Sequence, residues 1–324
     1  MQEINKNNFN HIKIHTQYSI CEGAIKIDQL KDYCKLNKIK SIGLSDTYNL
    51  SGALEFSENL SSIGTQPIIG TQILFKFKSN FGSIPLIAKN IEGYRNIIEL
   101  SSKSYLENDV NTDPHCKFED LLKKNNGIIV LSGSINGLIG NLFNKGLTTD
   151  IETIFNSLYA NFKDNFYIEI QRHEDQNEKY FELFNLNLSN KFNLPIIASN
   201  EVYYLDKSMH EAHDALMCIG KKKYVNDVNR NKLSNNHYLK SSEEMIELFK
   251  DLPEALENNY NLPYRCDFRP VSSKPILPNI STEKKDTNII LEKESIKGLK
   301  EKFKIYFNTE EKDLFNNEKF NKYK

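Results

Sequence analysis

Polar residues that could bind a metal or carry acid–base chemistry follow the ends of several short apolar runs in this chain. In a parallel sheet or barrel the carboxyl ends of the strands share one rim, and enzymes of this architecture keep their sites there. Some of these residues are histidines and carboxylates, which are good metal ligands, whereas others are an amide and a hydroxyl, which are poor ones. They are His15, Asp46, Gln72, Ser134, His173 and Glu201. The mixture predicts a metal site that has lost some of its ligands.

The apolar runs are rich in β-branched residues, and stretches with helical periodicity separate most of them. This alternation predicts an α/β fold with a mostly parallel sheet and helices outside it. Because all the runs share one functional rim, a distorted (β/α)7 TIM-like barrel is favoured over an open, doubly wound sheet. The predicted strands span residues 11–15, 41–45, 67–75, 84–88, 127–132, 166–171 and 195–199. The predicted helices between them span residues 27–38, 51–63, 92–106, 136–145, 149–163 and 175–192.

The first predicted strand supports a closed barrel. Strand alternation places the odd-numbered residues from Phe9 to His15 on one face and Ile12 and Ile14 on the other. A polar face turned inward and an apolar face turned toward the helices would give a barrel with a polar mouth.

After residue 199 the pattern becomes helical. Helices are predicted over residues 206–219, 241–249 and 289–307, and Ser241 with Glu244 forms a capping-box sequence for the second of these. A Pro/Ser/Lys-rich stretch over residues 270–286 predicts a domain boundary. We therefore expect one domain over residues 1–275 and the incomplete start of a second over residues 276–324, which ends in the polar tail FNNEKFNKYK.

Composition excludes several classes of protein. The chain has 324 residues with 42 basic and 43 acidic side chains, so it is poorly suited to neutralising nucleic-acid phosphates by itself. Its 5 cysteines form no CxxC pair, which supports neither a disulfide framework nor a zinc ribbon. Since no run approaches a membrane span and no signal peptide is present, we expect a cytoplasmic protein with no membrane partner.

Common catalytic motifs are missing from the sequence. Neither a phosphate-binding glycine loop nor a nucleophile elbow occurs, and no closely spaced acidic motif suits a two-metal polymerase. His210 and His213 have i, i+3 spacing, whereas a zincin helix needs i, i+4, so a structural role is predicted for them.

Eight segments in fixed order carry a family resemblance. They are HIKIHTQYSICEGA, IGLSDTYNLSGALEF, QPIIGTQILF, LIAKNIEGYRNIIELSSKSY, IIVLSGSINGLIG, IEIQRHEDQNE, LPIIASNEVYYLDKSMHEAHDALMCI and YLKSSEEMIELFKDLPEALENN. Together they resemble the N-terminal part of bacterial replicative DNA polymerase III alpha subunits, which begins with a polymerase-and-histidinol-phosphatase (PHP) domain. The likeness runs from about Asn10 to about Phe307. Each segment is weak alone, and their collinear order carries the resemblance.

The resemblance implies a seven-stranded barrel that holds several divalent metals through His, Asp, Glu and Cys side chains. The positions that keep a ligand of the family's kind are His15, Glu22, Asp46, His173 and Glu201. The positions where the family's ligand is replaced are Lys13, Thr47, Gln72, Ser83, Ser134 and Tyr203. An ammonium has no lone pair and repels a nearby dication, so we expect no metal cluster. A single residual metal could use only His15, Asp46, His173 and Glu201.

Without metals, buried carboxylates at the barrel mouth need another source of positive charge. We hypothesise that Lys13 neutralises Glu22, Asp46 and Glu201, in a network that Thr47, Gln72 and Tyr203 complete. The hypothesis fails if the Lys13 amine lies in solvent far from these carboxylates. The alternative, that Lys13 points to water at the mouth, stays open at this stage.

The resemblance also implies a function. The full-length protein would extend DNA from nucleoside triphosphates with Mg²⁺, whereas this chain lacks the polymerase aspartates and should contain no catalytic residue and need no cofactor of its own. A degenerate PHP domain would support the rest of the polymerase, which contacts DNA, and would dock the proofreading exonuclease subunit. The alternatives are a stand-alone metal-dependent phosphoesterase of histidinol-phosphatase type and a nucleic-acid-binding protein. A reading frame that continues far beyond Lys324 would support the polymerase assignment.

Overall fold

A central sheet of short strands runs through the first part of the molecule. The computed structural model describes residues 8–109, 111–230, 232–275 and 287–307, together with Glu318 and Lys322. In chain order, the strands of this described part are β1 (Lys13–Ile14), β2 (Ser41–Thr47), β3 (Gln66–Phe77), β4 (Asn80–Ala88), β5 (Cys116–Lys117), β6 (Ile128–Leu131), β7 (Phe166–Ile170), β8 (Ile196–Ala198) and β9 (Glu201–Val202).

One chain segment closes this sheet into a barrel. The strand order is β8-β7-β6-β4-β3-β2-β1-β9, with β5 paired to β3 outside this path. The two end strands of the path, β8 and β9, are successive halves of residues 196–202: β8 pairs with β7, and β9 pairs with β1. Because the same segment hydrogen-bonds on both sides, the predicted distorted barrel is confirmed.

The distortion comes largely from β4. It forms a hairpin with β3 and runs antiparallel to both β3 and β6, whereas the other pairs are parallel. The hairpin turns at Lys78, whose φ is +54°. Because β4 runs in the opposite direction, its amino end lies at the rim where the parallel strands end. Ser83 therefore reaches the same rim as Gln72 of β3.

Helices flank the strands where the periodicity predicted them. Within the described ranges they are α1 (Ile27–Leu36), α2 (Ala53–Ser61), α3 (Ile91–Leu106), α4 (Phe118–Lys123), α5 (Leu138–Asn144), α6 (Thr148–Phe162), α7 (Glu178–Phe192), α8 (His210–Gly220), α9 (Ser242–Leu248), α10 (Pro253–Asn261) and α11 (Thr287–Phe307). The short elements β5, β9 and α4, and helix α10, were not predicted. The predicted capping box is confirmed, since the Ser241 hydroxyl accepts from the Glu244 N–H and the Glu244 carboxylate accepts from the Ser241 N–H.

The barrel has an apolar floor below a charged mouth. The floor cluster takes residues from strands β3, β4, β6, β7 and β8 on the face shared by Gln72 and Glu169, and one residue before β1 and two residues beyond α10 complete it. Its members are Ile12, Ile68, Ile87, Ile129, Leu131, Tyr167, Ile197, Leu262 and Cys266. Two larger clusters fill the space between the sheet and the helices. Each fully buried aliphatic side chain contributes about 1.5–3 kcal/mol.

The expected alternation along the first strand is partly wrong. Ile14 packs in an outer cluster and Lys13 points inward, as predicted. Ile12, however, belongs to the inner floor cluster, while the His11 ring lies against Phe9 and its Nε2 contacts the Lys240 carbonyl. Only two residues form regular strand here, so alternation does not extend back to residue 9.

The chain divides into two units at Ser272 and Ser273. In the second unit, helix α11 buries Phe303 with Leu299 packed against it. Residues 276–286 of the predicted boundary, and the predicted polar tail apart from Glu318 and Lys322, lie outside the described residues. The assignment of the two units to domains stays a prediction. Within the described ranges, no helix has the length and apolar character to cross a membrane.

Candidate functional site at the barrel mouth

Lys13 lies at the centre of the mouth. Its side chain is 1% exposed, and its Nζ lies 3.1 Å from Glu169 Oε1 on β7 and 3.4 Å from Glu201 Oε1 on β9. Burial by itself would lower the pKa of Lys13, but the attraction of the two carboxylates outweighs burial and raises the pKa above 10.5. The ammonium therefore stays charged inside the barrel.

Glu201 is engaged from three directions. Besides Lys13, its Oε1 lies 3.1 Å from His15 Nε2, and it accepts a hydrogen bond from the Gln72 amide. Burial would raise the pKa of Glu201, but Lys13, His15 and Gln72 together hold it well below 4.5. The carboxylate is ionised, and protein groups satisfy it.

Glu169 was missed by the sequence reasoning. Its Oε1 accepts hydrogen bonds from Gln171 Nε2 at 2.6 Å and from the Ser199 hydroxyl, in addition to the Lys13 ion pair. A signal was present, because Tyr167, Glu169 and Gln171 alternate with the apolar residues of the run FYIEIQ. A charged residue on the inward face of a buried strand needs a partner of opposite charge.

The Lys13 hypothesis is confirmed for Glu201, and the alternative of a lysine pointing to water is wrong. The hypothesis does not hold for Asp46 or Glu22. In the described part of the chain, the ion pairs of Lys13 are those with Glu169 and Glu201. The reason is geometric, because an inward side chain of β1 reaches across the barrel interior, whereas Asp46 is held by the loop that follows β1.

The carboxylate of Asp46 is satisfied by that loop. Its Oδ1 accepts from the Thr16 N–H at 2.7 Å and the Ser19 hydroxyl at 2.7 Å, and its Oδ2 accepts from the Thr16 hydroxyl at 2.8 Å. Burial raises the pKa of Asp46 above 3.8, although these hydrogen bonds favour the charged form. Both oxygens are therefore turned toward neutral donors.

Glu22 and Thr47 form a pair at the rim, and the Thr47 hydroxyl also lies 3.3 Å from His15 Nδ1. The Thr47 hydroxyl donates to Glu22 Oε2 at 2.6 Å, and the Thr47 N–H donates to the Ser19 hydroxyl at 3.1 Å. Both residues are only partly buried, so water can also solvate the Glu22 carboxylate.

His173 is buried, and protein atoms contact both of its ring nitrogens. Nδ1 lies 3.1 Å from Glu178 Oε1, while Nε2 lies 3.1 Å from the Glu201 N–H nitrogen and 3.0 Å from Asn200 Oδ1. Burial, together with the electrostatic effect of the neighbouring His237 and Lys240, lowers the pKa of His173 well below 6.5. This predicted residual ligand has no nitrogen directed at a vacant position.

His237 is a second residue that the sequence reasoning missed. Its ring stacks on His173 with centroids 4.0 Å apart, its Nδ1 lies 3.0 Å from the Glu201 carbonyl oxygen, and its Nε2 lies 3.0 Å from Asp175 Oδ2. Burial would raise the pKa of Asp175, but the hydrogen bond from His237 lowers it. His237 ends an Asn-rich segment without helical or strand periodicity, so no sequence pattern marked it.

An open cavity of about 320 Å³ lies above this network. The predicted positions that line it are His15, Glu22, Thr47, Gln72, Ser83, Ser134, Glu201 and Tyr203. Lys13, Asp46 and His173 are buried behind its wall. Tyr203 stacks on His15 at 4.4 Å and on His213 at 5.4 Å. His213 in turn contacts the Glu22 carbonyl through Nε2 at 2.8 Å, which is a structural role.

These donors do not fit a cluster of divalent metals. The Lys13 ammonium lies where a cation would bind Glu201, the oxygens of Asp46 accept three hydrogen bonds, and both nitrogens of His173 are engaged. Across the described ranges, no group of three or more His, Cys, Asp or Glu side chains is placed to hold a metal ion. The charged groups at the mouth, Lys13, Glu169 and Glu201, instead neutralise one another in an ion-pair network.

The distorted barrel and its strand order define a class of protein. The PHP domain family matches residues 11–173, and the chain belongs to this family. More particularly, the chain is similar to DNA polymerase III subunit alpha of Rickettsia conorii, with 35% identity over 96% of this chain and 26% of the relative. The same subunit of Caulobacter vibrioides is 34% identical over 87% of this chain and 25% of the relative. The resemblance to DNA polymerase III alpha subunits is confirmed.

The chain spans about a quarter of the length of these curated relatives. Among solved structures it is similar to a two-domain protein from Bacteroides vulgatus that contains a predicted PHP-like metal-dependent phosphoesterase, with 12% identity and a TM-score of 0.42 over 74% of this chain and 62% of that chain. It is also similar to an amidohydrolase from Chromobacterium violaceum, with 10% identity and a TM-score of 0.37 over 60% of this chain and 87% of that chain.

Proposed function

We propose that this chain is the PHP region of a bacterial DNA polymerase III alpha subunit and acts as a scaffold without catalytic residues of its own. The full-length protein would synthesise DNA on a template with Mg²⁺ supplied at its polymerase centre. Support comes from relatives named DNA polymerase III subunit alpha that align with 87–96% of this chain.

The observation that carries the scaffold role is the position of Lys13. The ion pairs of its ammonium join β1 to β7 and β9, and β1 and β7 are the strands that flank the closing segment, residues 196–202. A metal cluster at a barrel mouth would tie the same strands together through shared ligands. We infer that the ion-pair network has taken over this structural task and that the vestigial positions serve stability.

The finer parts of the proposal concern organisation and partners. Residues 1–275 would form the PHP domain, and residues 276–324, including α11, would begin the polymerase palm. The domain would support the rest of the polymerase and dock a proofreading exonuclease subunit. Such a complex would work in the cytoplasm without a membrane partner.

The second candidate is a stand-alone metal-dependent phosphoesterase. The PHP family and the open cavity above His15 favour it. The engaged donors of Asp46, His173 and Glu201 count against it, because a two-metal phosphatase needs free lone pairs on several ligands at once.

Metal content separates the two candidates. The purified chain, incubated with Mn²⁺ or Zn²⁺ and desalted, should retain less than one equivalent of metal and should not hydrolyse p-nitrophenyl phosphate or histidinol phosphate. Glu22→Gln, which removes a solvent-accessible carboxylate of the cavity, should give the same background values. Two or more bound metals with turnover, both lost in Glu22→Gln, would establish the phosphoesterase and refute the scaffold.

A further inference from the structure

An exposed apolar patch lies where α8 ends and the next loop begins. Single exposed apolar side chains are ordinary, but a cluster of them marks an interaction surface. Val228 is 94% exposed, Ile20 81%, Tyr224 80% and Ile219 71%. Val225 is 51% exposed. We call Ile20, Ile219, Tyr224, Val225 and Val228 the α8 patch.

The two parts of the α8 patch adjoin each other. A Cβ built on Gly220, the last residue of α8, would lie 2.6 Å from the Cβ of Cys21, so the Ile20–Cys21 turn touches the helix end. On the other side, Tyr224 follows Ile219 after a short turn in which the Lys223 N–H donates to the Cys218 carbonyl at 2.9 Å. The Ile20–Cys21 turn and the loop that begins after Gly220 therefore both adjoin the C-terminal end of α8.

Polar contacts hold in place the loop after α8, which carries Tyr224, Val225 and Val228 of the α8 patch. Arg230 forms a bidentate ion pair with Asp214 of α8 and donates to the Val225 carbonyl at 2.9 Å. The Asp227 carboxylate accepts from the Tyr224 N–H at 2.9 Å, and the Asp227 N–H donates to the Tyr224 carbonyl at 3.0 Å. Because the backbone is preorganised, a partner would order little of it on binding.

The patch is flanked by positive charge. Lys221, Lys222 and Lys223 are exposed, and within the described part of the chain none of them takes part in an ion pair. The two nearest carboxylates in sequence, Asp214 and Asp227, are already engaged by Arg230 and by the Tyr224 N–H. A complementary partner would therefore bring negative charge together with apolar side chains.

We propose that the α8 patch docks an acidic segment of a partner protein that carries aliphatic side chains. A single-stranded nucleic acid would use the lysines and could stack a base on Tyr224, but it would have no use for Ile20, Ile219, Val225 and Val228. The proposal deepens the scaffold role and rests on it, since a scaffold must present a surface to a partner.

A designed peptide tests the proposal on the full chain. The probe is a fluorescein-labelled peptide of about ten residues in which glutamate alternates with leucine, and its binding is followed by anisotropy. We expect a Kd of about 10–100 μM, at least about tenfold tighter than for the same peptide with lysine in place of glutamate. The substitutions Tyr224→Ser and Val228→Ser together should weaken binding at least about tenfold.

Matched variants make the result specific. Tyr180→Ser with Leu183→Ser changes an exposed tyrosine and an exposed aliphatic residue on α7, and should leave the Kd unchanged. Changing Lys221, Lys222 and Lys223 to glutamate should reverse the preference between the two peptides. Melting temperatures of all variants should match that of the parent chain, because the altered side chains are exposed.

Three results would overturn the proposal. They are equal binding of the two peptides, unchanged binding by the Tyr224/Val228 variant, and binding of oligothymidine that is lost in that variant. The metal assay does not involve the α8 patch, so this proposal and the scaffold assignment can fail separately.

Discussion

At the scale of single residues, the charge balance of the barrel mouth depends on Lys13. Lys13 stands where the family resemblance implies a histidine, and it supplies a fixed positive charge between Glu169 and Glu201. His15 Nε2 and the Gln72 amide contact the same Glu201 carboxylate. Lys13, His15, Gln72 and Glu201 are therefore linked to one another through hydrogen bonds and ion pairs.

The first prediction concerns Lys13→Met. Removal of the ammonium leaves two buried carboxylates without a counter-charge, so the free energy of unfolding should fall by about 3–5 kcal/mol. Urea denaturation measures this loss. Lys76→Met, on an exposed position of β3, should change stability by less than about 0.5 kcal/mol.

A triple variant checks the cause of that loss. Lys13→Met combined with Glu169→Gln and Glu201→Gln removes the uncompensated charges and should recover part of the lost stability. A triple variant that is no more stable than Lys13→Met would show that packing of the lysine stem, and not its charge, dominates.

At the scale of elements, short helices hold the closing segment, residues 196–202, in place. Helix α10 packs against this segment, since Asn259 Nδ2 donates to the Asn10 and Ala198 carbonyls at 2.8 and 3.0 Å. Helix α9 precedes α10, and its Met245, together with Phe249 just after its end, belongs to the largest core cluster. The sequence marked α9 through its capping box but did not mark α10, whose apolar residues are few.

Ser241→Ala tests the contribution of the capping box. Loss of the hydroxyl leaves the Glu244 N–H of α9 without its acceptor, so stability should fall by about 1 kcal/mol. Thr153→Ala, on the exposed face of α6, provides a control without a cap. The thermal unfolding midpoints of the two variants should differ by about 2 °C, and equal midpoints would argue against the cap.

At the scale of the whole molecule, the charged mouth links global unfolding to pH. The pKa of Glu201 is held well below 4.5 in the folded state, where Lys13 and His15 outweigh burial. A carboxyl group with a lowered folded pKa contributes stability above its unfolded pKa and loses it as the pH falls through the folded value.

Acid titration of stability checks this link. The free energy of unfolding should fall as the pH drops from about 5 to about 3, and the fall should be shallower in Glu201→Gln, which lacks the titrating group. Parallel curves for the two proteins would mean that Glu201 does not titrate with a lowered pKa. The difference between the curves matters here, because other acids titrate in both proteins.

The amino-acid sequence by itself determined most strands and helices, the barrel class and the rim on which His15, Gln72 and Glu201 lie. These features depend on periodicity and on residues close together in the chain, such as Ser241 and Glu244. Only the tertiary structure decided that Lys13 pairs with Glu169, which is 156 residues away, and that His237 stacks on His173. Alternation shows which side of a strand a residue faces, but the partner across the barrel depends on how all the strands close around it.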